Sequence, residues 1–135
     1  MKIRSISHED YDQILIKWWE DWGFPYPPPK EMLPDTGFIA YDEEIPVAAC
    51  YVYITNSKVA WLTWLISNKN YRKKPDRRII INGLIETVCG WLKSAEYSMV
   101  YTVANKNQAV QSFKDAGFIG TSKNAQELIK TWEQN

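Results

Sequence analysis

Met1-Lys2-Ile3-Arg4-Ser5-Ile6 alternates apolar with polar residues, the period of a half-buried strand. After Ser7, placed as an N-cap with Asp10 three residues on, the period changes. Tyr11, Ile14, Leu15, Trp18 and Trp22 recur at helical spacing, and Gly23 stops the helix. Phe24-Pro25-Tyr26-Pro27-Pro28-Pro29 excludes helix, because proline removes donors and drives the preceding residue to extended geometry. It reads as a stiff connector or as one wall of a cleft. Lys30 to Leu33 has room for a single helical turn before Pro34, and Asp35-Thr36-Gly37 is turn chemistry.

A meander follows: strands over Phe38–Tyr41, Ile45–Ile54 and Val59–Ser67, separated by Asp42-Glu43-Glu44 and Thr55-Asn56-Ser57-Lys58. The third of these is apolar on both faces, as expected of a strand inside a sheet. Arg77 to Ala95 carries Ile81, Leu84, Ile85, Val88, Cys89 and Leu92 as one helical stripe. Ser98–Ala104 reads as a strand and Gln108–Ala116 as a helix closed by Gly117, after which Phe118 resumes extended structure. In the tail, Ala125 to Lys130 favours helix by propensity, while Leu128 to Trp132 suits a closing strand, the assignment taken here.

Between the third meander strand and the long helix lies Tyr71-Arg72-Lys73-Lys74-Pro75-Asp76-Arg77-Arg78, which packs five cations into seven residues. A strand, a basic loop and a helix N-terminus in that order can hold an anion, since the first helical amides lack intrahelical partners and carry partial positive charge. Phosphate is the natural guest; a merely solvated loop is the alternative.

With 135 residues, 45% hydrophobic and 24% charged, the chain fits one globular domain spanning 1–135. The formal net charge of zero argues against a general nucleic-acid binder. Cys50 and Cys89 lack metal-ligand spacing and there is one histidine, so no metal site is expected; two reduced, buried thiols fit a cytoplasmic protein. No apolar run is long enough to span a bilayer and the N-terminus has no signal-peptide pattern, so no membrane partner is expected.

The order of elements resembles the GNAT superfamily of N-acetyltransferases over nearly the whole chain. Two regions carry the resemblance. Asn107-Gln108-Ala109-Val110-Gln111-Ser112-Phe113-Lys114-Asp115-Ala116-Gly117-Phe118 is similar to the family's Asn-x-x-Ala-[Ile/Val] helix ending in Gly-Phe. Tyr71-Arg72 matches the Tyr-Arg ahead of the cofactor loop, and Trp61-Leu62-Thr63-Trp64-Leu65 matches the fourth strand in character. Where the family loop has small residues, this chain has Pro75 and Arg77.

The resemblance implies an α/β, GNAT-like acyl-CoA N-acyltransferase fold: a mostly antiparallel sheet of about six to seven strands flanked by about four helices. It implies acetyl-CoA as acyl donor and an amine of a small molecule or protein as acceptor, in a monomer or homodimer. Backbone N–H groups near Leu65, Ile66 and Ser67 would meet the thioester oxygen. Arg72, Lys73, Lys74, Arg77 and Arg78 would hold the phosphates in place of loop amides, by charge-assisted hydrogen bonds. Asn107 would meet the pantetheine arm. Phe113, counted with these cofactor-binding residues, stands where the family usually has the tyrosine that protonates the leaving thiolate. Ser112, Tyr101 or a water could substitute, and Thr63, on the fourth strand, points into the cleft or into the core. The alternative is a catalytically degenerate module that binds acyl-CoA or a protein partner without turnover. No side chain stands out as the base: Glu43 and Glu44 read as turn residues, Glu31 and Asp35 either border the acceptor site beside the proline segment or are solvated surface carboxylates, and His8 reads as a surface residue.

Overall fold

The computed structural model describes residues 1–104 and 107–132, and of Asn107 only the backbone. β1 (Lys2–Ser5), β2 (Gly37–Asp42), β3 (Ile45–Ile54), β4 (Val59–Ser67) and β5 (Met99–Tyr101) form one sheet in that order. The first three pairings are antiparallel and β4–β5 is parallel. α1 (His8–Asp10) and α2 (Ile16–Asp21) form one helical rod through a π-helical turn at Tyr11–Leu15. α3 (Arg77–Ser94) supplies the β4–β5 crossover, and α4 (Asn107–Asp115) follows β5. Single 3-10 turns stand at Lys30–Met32 and Lys69–Tyr71. No described helix is long and apolar enough to cross a membrane.

The sheet has a helical layer on each face, so β3 is buried continuously from Val47 to Val52. On one face α3 presents Ile81, Leu84, Ile85, Val88 and Leu92 to Ala48, Cys50, Val52, Ala60 and Leu62, with Phe113 of α4 joining them. On the other, Leu15, Trp18 and Trp19 pack on Ile39, Ala49, Tyr51 and Ile66. Each fully buried aliphatic side chain contributes about 1.5–3 kcal/mol, so these two seams hold the layers together.

The sequence expectation of six to seven strands is corrected to five among the described residues. Neither the segment after Phe118 nor Leu128–Trp132 is a strand. β5 is shorter than Ser98–Ala104 because only Val59–Trp61 of β4 faces it, and a strand persists only where a ladder satisfies its backbone groups. The remaining boundaries agree within a residue or two.

Three helices end in the same hydrogen-bonded stop. The amides of Phe24, Tyr97 and Phe118 donate to the carbonyls of Trp19, Leu92 and Phe113, while those of Gly23, Glu96 and Gly117 donate to Glu20, Lys93 and Lys114. This is the Schellman arrangement, which places its middle residue in the left-handed region. Gly23 and Gly117 adopt it freely, whereas Glu96 does so at φ 71° with a Cβ in the way. The Gly-Phe signature therefore has a structural meaning: Gly117 turns the chain and Phe118 folds back edge-on to Phe113, with centroids 5.1 Å apart.

The helical rod begins on an ion pair. Asp10 accepts from the Ser7 amide at 2.6 Å and from both terminal nitrogens of Arg4 at 2.7 and 2.9 Å, and Arg4 also donates to the Tyr41 hydroxyl. The hydrogen bonds from Arg4 hold the Asp10 carboxyl below its ordinary 3.8. A depressed carboxyl stabilises the fold above the unfolded value and loses that contribution as pH falls through the folded one.

Two predictions follow from these local structures. Glu96→Gly raises stability and Gly117→Ala lowers it, each by about 1 kcal/mol in urea unfolding; equal signs would refute the left-handed assignment. Asp10→Asn flattens the loss of stability below about pH 4, and an unchanged acid limb would show that the pair with Arg4 is not formed in solution.

Candidate functional site

β4 is the strand around which the candidate site forms. Its register with β3 runs Tyr51↔Thr63 and then Ala49↔Ile66, so Trp64 and Leu65 together stand opposite Cys50. Such a bulge bends its strand and leaves a residue out of the ladder. Trp64 carries the distortion at φ 55°, a costly conformation for a bulky side chain. A relay holds it: the indole N–H of Trp64 donates to the Tyr53 hydroxyl at 3.0 Å, which donates to the Met32 carbonyl at 2.8 Å. The 3-10 turn beyond the proline segment is thereby attached to the bulge. That segment is itself strapped down where the Tyr11 hydroxyl donates to the Pro28 carbonyl at 2.8 Å.

β5 accompanies β4 only as far as Trp61↔Tyr101. Beyond that point β4 continues through its bulge to Ser67 with no β5 partner among the described residues, so Leu65, Ile66 and Ser67 border the unpaired end of the β4–β5 ladder, the wedge. At its mouth the chain is pinned by Asn68, whose amide donates to the Val47 carbonyl at 2.8 Å and whose Nδ2 donates to Pro46 at 2.9 Å. Tyr71 is buried and donates a short hydrogen bond to Asp42, which, with desolvation, pushes the phenol up to about 12. The Tyr-Arg pair thus divides its labour, with the tyrosine anchoring the turn and Arg72 exposed.

The cations fall into two groups. Arg77 donates to Ser67 Oγ at 3.0 Å with its Nε buried and unpartnered, and burial lowers its pKa. Arg78 pairs with Asp115 at 2.7 Å, joining α3 to α4 alongside Asn82 and Gln111. Lys69 donates to the Asp21 carbonyl at 3.1 Å and lies over the Trp22 ring, whose indole N–H donates to Ser67 O at 2.7 Å. Arg72, Lys73 and Lys74 are exposed and make no ion pair among the described residues. Arg72 and Lys73 line, with Lys69 and Asn70, an open hollow of about 200 Å³. Beside it, α3 begins with the Arg77 amide bonded to Lys74 O and that of Ile80 to Asp76 O. Among the described residues the Arg78 and Ile79 amides have no carbonyl partner, as at any helix start. A second hollow, of about 240 Å³, lies at the β1–β2 side between Ser5, Thr36, Phe38 and Trp91.

The fold places this wedge and basic mouth where solved acetyltransferases can be compared. An aminoglycoside acetyltransferase from an uncultured soil metagenomic sample, solved with sisomicin, matches with a TM-score of 0.67 at 17% identity, over 96% of this chain and 95% of that one. Glucosamine-6-phosphate N-acetyltransferase from Arabidopsis thaliana matches at 0.68 and 12% identity, over 96% and 98%. The chain shares the fold of these acetyltransferases. A transcriptional regulator from Bacillus halodurans matches equally, with a TM-score of 0.68 at 15% identity over 95% and 99%, so at these identities the GNAT likeness is one of architecture. No family model and no curated protein sequence matches the chain.

Within the GNAT fold, the residues singled out from sequence are distributed as follows. Leu65, Ile66 and Ser67 border the wedge; Arg72 and Lys73 line the basic hollow that follows β4, and Lys74 is exposed next to them in the chain. Thr63 and Tyr101 share one sheet face, with Tyr101 stacked on Trp61 at 4.2 Å between centroids. Ser112 and Phe113 are buried on α4 in the layer against the other face, so the three hydroxyl candidates are not gathered into one cluster. Phe113 is a core residue, and the Asn107 side chain lies outside the described residues. Asp42 and Tyr53 contact the site's elements without having been singled out, because a turn carboxylate and a strand aromatic bear no signal of such partners.

Tyr53→Phe removes the acceptor of the Trp64 indole and the link to Met32, and lowers stability by about 1 kcal/mol in urea unfolding. An unchanged midpoint would mean that the relay does not hold the bulge.

Proposed function

We propose that the chain is an acetyl-CoA-dependent N-acetyltransferase acting on an amine of a small molecule or protein. The observation that carries this reading is that Arg72, Lys73 and Lys74, exposed and without an ion pair among the described residues, lie in the short connection between the unpaired end of β4 and the free amides at the head of α3. A pyrophosphate needs several charges and N–H donors at one point, and this mouth offers both. Arg72, Lys73 and Lys74 hold it, while Arg77 and Arg78 serve the protein's own packing.

When bound, acetyl-CoA supplies a thioester carbonyl that a neutral amine attacks, with the thiolate leaving. The chain's part is to orient the donor along β4 and to place backbone N–H groups of the Leu65–Ser67 segment near the carbonyl oxygen, where charge develops. Tyr101 is the proton donor of choice for the thiolate: its side chain is exposed on the cleft face, whereas Ser112 is buried on α4. Thr63 lies on the same face and positions the acceptor. A thiol near pKa 8.5 leaves without much help, so loss of the Tyr101 hydroxyl slows turnover without abolishing it.

A second reading, acyl-CoA binding without turnover, is favoured by the burial of Phe113, the residue standing where the family's tyrosine acid stands. Thermal denaturation with acetyl-CoA, followed by thiol release with a panel of amines, separates the two. The enzyme reading expects stabilisation of about 2.7 kcal/mol at a hundredfold excess over Kd, together with thiol release. Stabilisation without release selects the second reading, and no stabilisation at millimolar ligand defeats both. Arg72→Ala/Lys73→Ala/Lys74→Ala abolishes the ligand-induced shift, whereas Arg78→Ala lowers the unliganded midpoint and keeps the shift. The reverse pattern would show that the phosphates sit elsewhere.

A further inference from the structure

The hollow at the β1–β2 side has a chemistry opposite to that of the basic one. Ser5, Asp35, Thr36, Gly37, Phe38 and Trp91 line it among the described residues, and none of them is a cation. Asp35 is exposed and makes no ion pair among the described residues. Phe38 and Trp91 meet edge to face at 63°, with centroids 5.4 Å apart, and the indole is 43% exposed. The lining is held in place on both sides. The Ile6 amide donates to Gly37 O and the Val52 amide to Thr36 O, each at 2.9 Å, while Phe38 packs against the core formed with α3.

Such a lining selects positive charge. Aromatic rings attract a cation through their quadrupole, and a carboxylate without a partner attracts it through Coulomb's law. Trp91 also stands in the last turn of α3, whose carbonyl end carries partial negative charge. A bare ammonium is strongly hydrated and gains little by leaving water for ring surfaces. A methylated ammonium holds water weakly and presents apolar methyl groups to the rings, which is how aromatic corners recognise such ions. At about 240 Å³ the hollow lies below the range of about 300–1,000 Å³ usual for drug-sized ligands, so the ion is small.

We propose that this hollow binds a small quaternary ammonium ion, with Trp91 and Phe38 against its methyl groups and Asp35 balancing its charge. The place is separate from the transfer cleft. Phe38 stands opposite Cys50 on the sheet face packed by α3, whereas Thr63 stands opposite Tyr51 on the face packed by the helical rod. A quaternary nitrogen carries no N–H and no lone pair, so the ion bound here is a ligand in its own right and not an acceptor of an acetyl group. Binding at this hollow requires neither acetyl-CoA nor turnover, and so stands or falls apart from the acetyltransferase reading.

Titration of the ¹⁵N-labelled full chain with choline at constant chloride tests this, alongside choline's uncharged isostere, in which a tert-butyl group replaces the trimethylammonium. The expected result is a saturable shift of the Trp91 indole N–H and the amides of Thr36, Gly37 and Phe38, with choline bound about tenfold more tightly than the isostere. Asp35→Asn, a change at an exposed position, weakens choline about threefold and leaves the isostere unaffected. Trp91→Ala removes the response to both. No shift at tens of millimolar choline overturns the proposal. Equal responses to choline and the isostere do the same, as does a choline affinity unchanged in Asp35→Asn. Shifts gathered at Thr63 and Tyr101 would also contradict it, since the cation would then sit in the transfer cleft.

Discussion

The two-for-one bulge at Trp64 and Leu65 is the constraint on which the site depends. A regular β4 would carry its alternation unbroken to Ser67, and Trp64 would stay in the ladder with β3. Holding Trp64 at φ 55° is unfavourable on its own. It persists because Trp64, Tyr53 and Met32 are joined by hydrogen bonds and because Leu65 and Ile66, on either side of the sheet, are held by separate cores. Strain in the strand is thus offset by the two helical layers.

The basic segment shows how composition and role diverge. Five adjacent cations look equivalent in the sequence, and the fold sorts them by reach. Arg77 and Arg78 lie in the first turn of α3, where their side chains meet Ser67 and Asp115 across neighbouring elements. Arg72, Lys73 and Lys74 precede the helix and remain in solvent. Pro75 and Arg77 are compatible with this division: the proline sits in a turn that spends few amides, and the arginine bridges β4 to α3 instead of lining an open loop.

Periodicity made the helices and the first four strands legible, since Leu84, Ile85, Val88 and Leu92 and the unbroken run Val47–Val52 each fit one burial pattern. The Gly-Phe stop was legible for the same reason, being a local hydrogen-bonding rule. What stayed hidden was long-range. Nothing near Tyr71 names Asp42, nothing in Trp61–Leu65 marks the left-handed Trp64, and Arg78 gives no sign of Asp115. The over-count of strands has the same origin: Leu128–Trp132 has strand-like alternation, but a strand also needs an edge to pair with, and that edge is not encoded locally.

The proposed function requires the wedge and the basic hollow to be one ligand site. Titration of the ¹⁵N-labelled protein with coenzyme A, followed by amide chemical shifts, tests this most directly. The expected result is a contiguous set of perturbed amides at Leu65, Ile66, Ser67, Arg72, Lys73, Lys74, Arg78 and Ile79. Perturbations confined to Ser5, Thr36, Phe38 and Trp91, around the other hollow, or no perturbation at all, would contradict it.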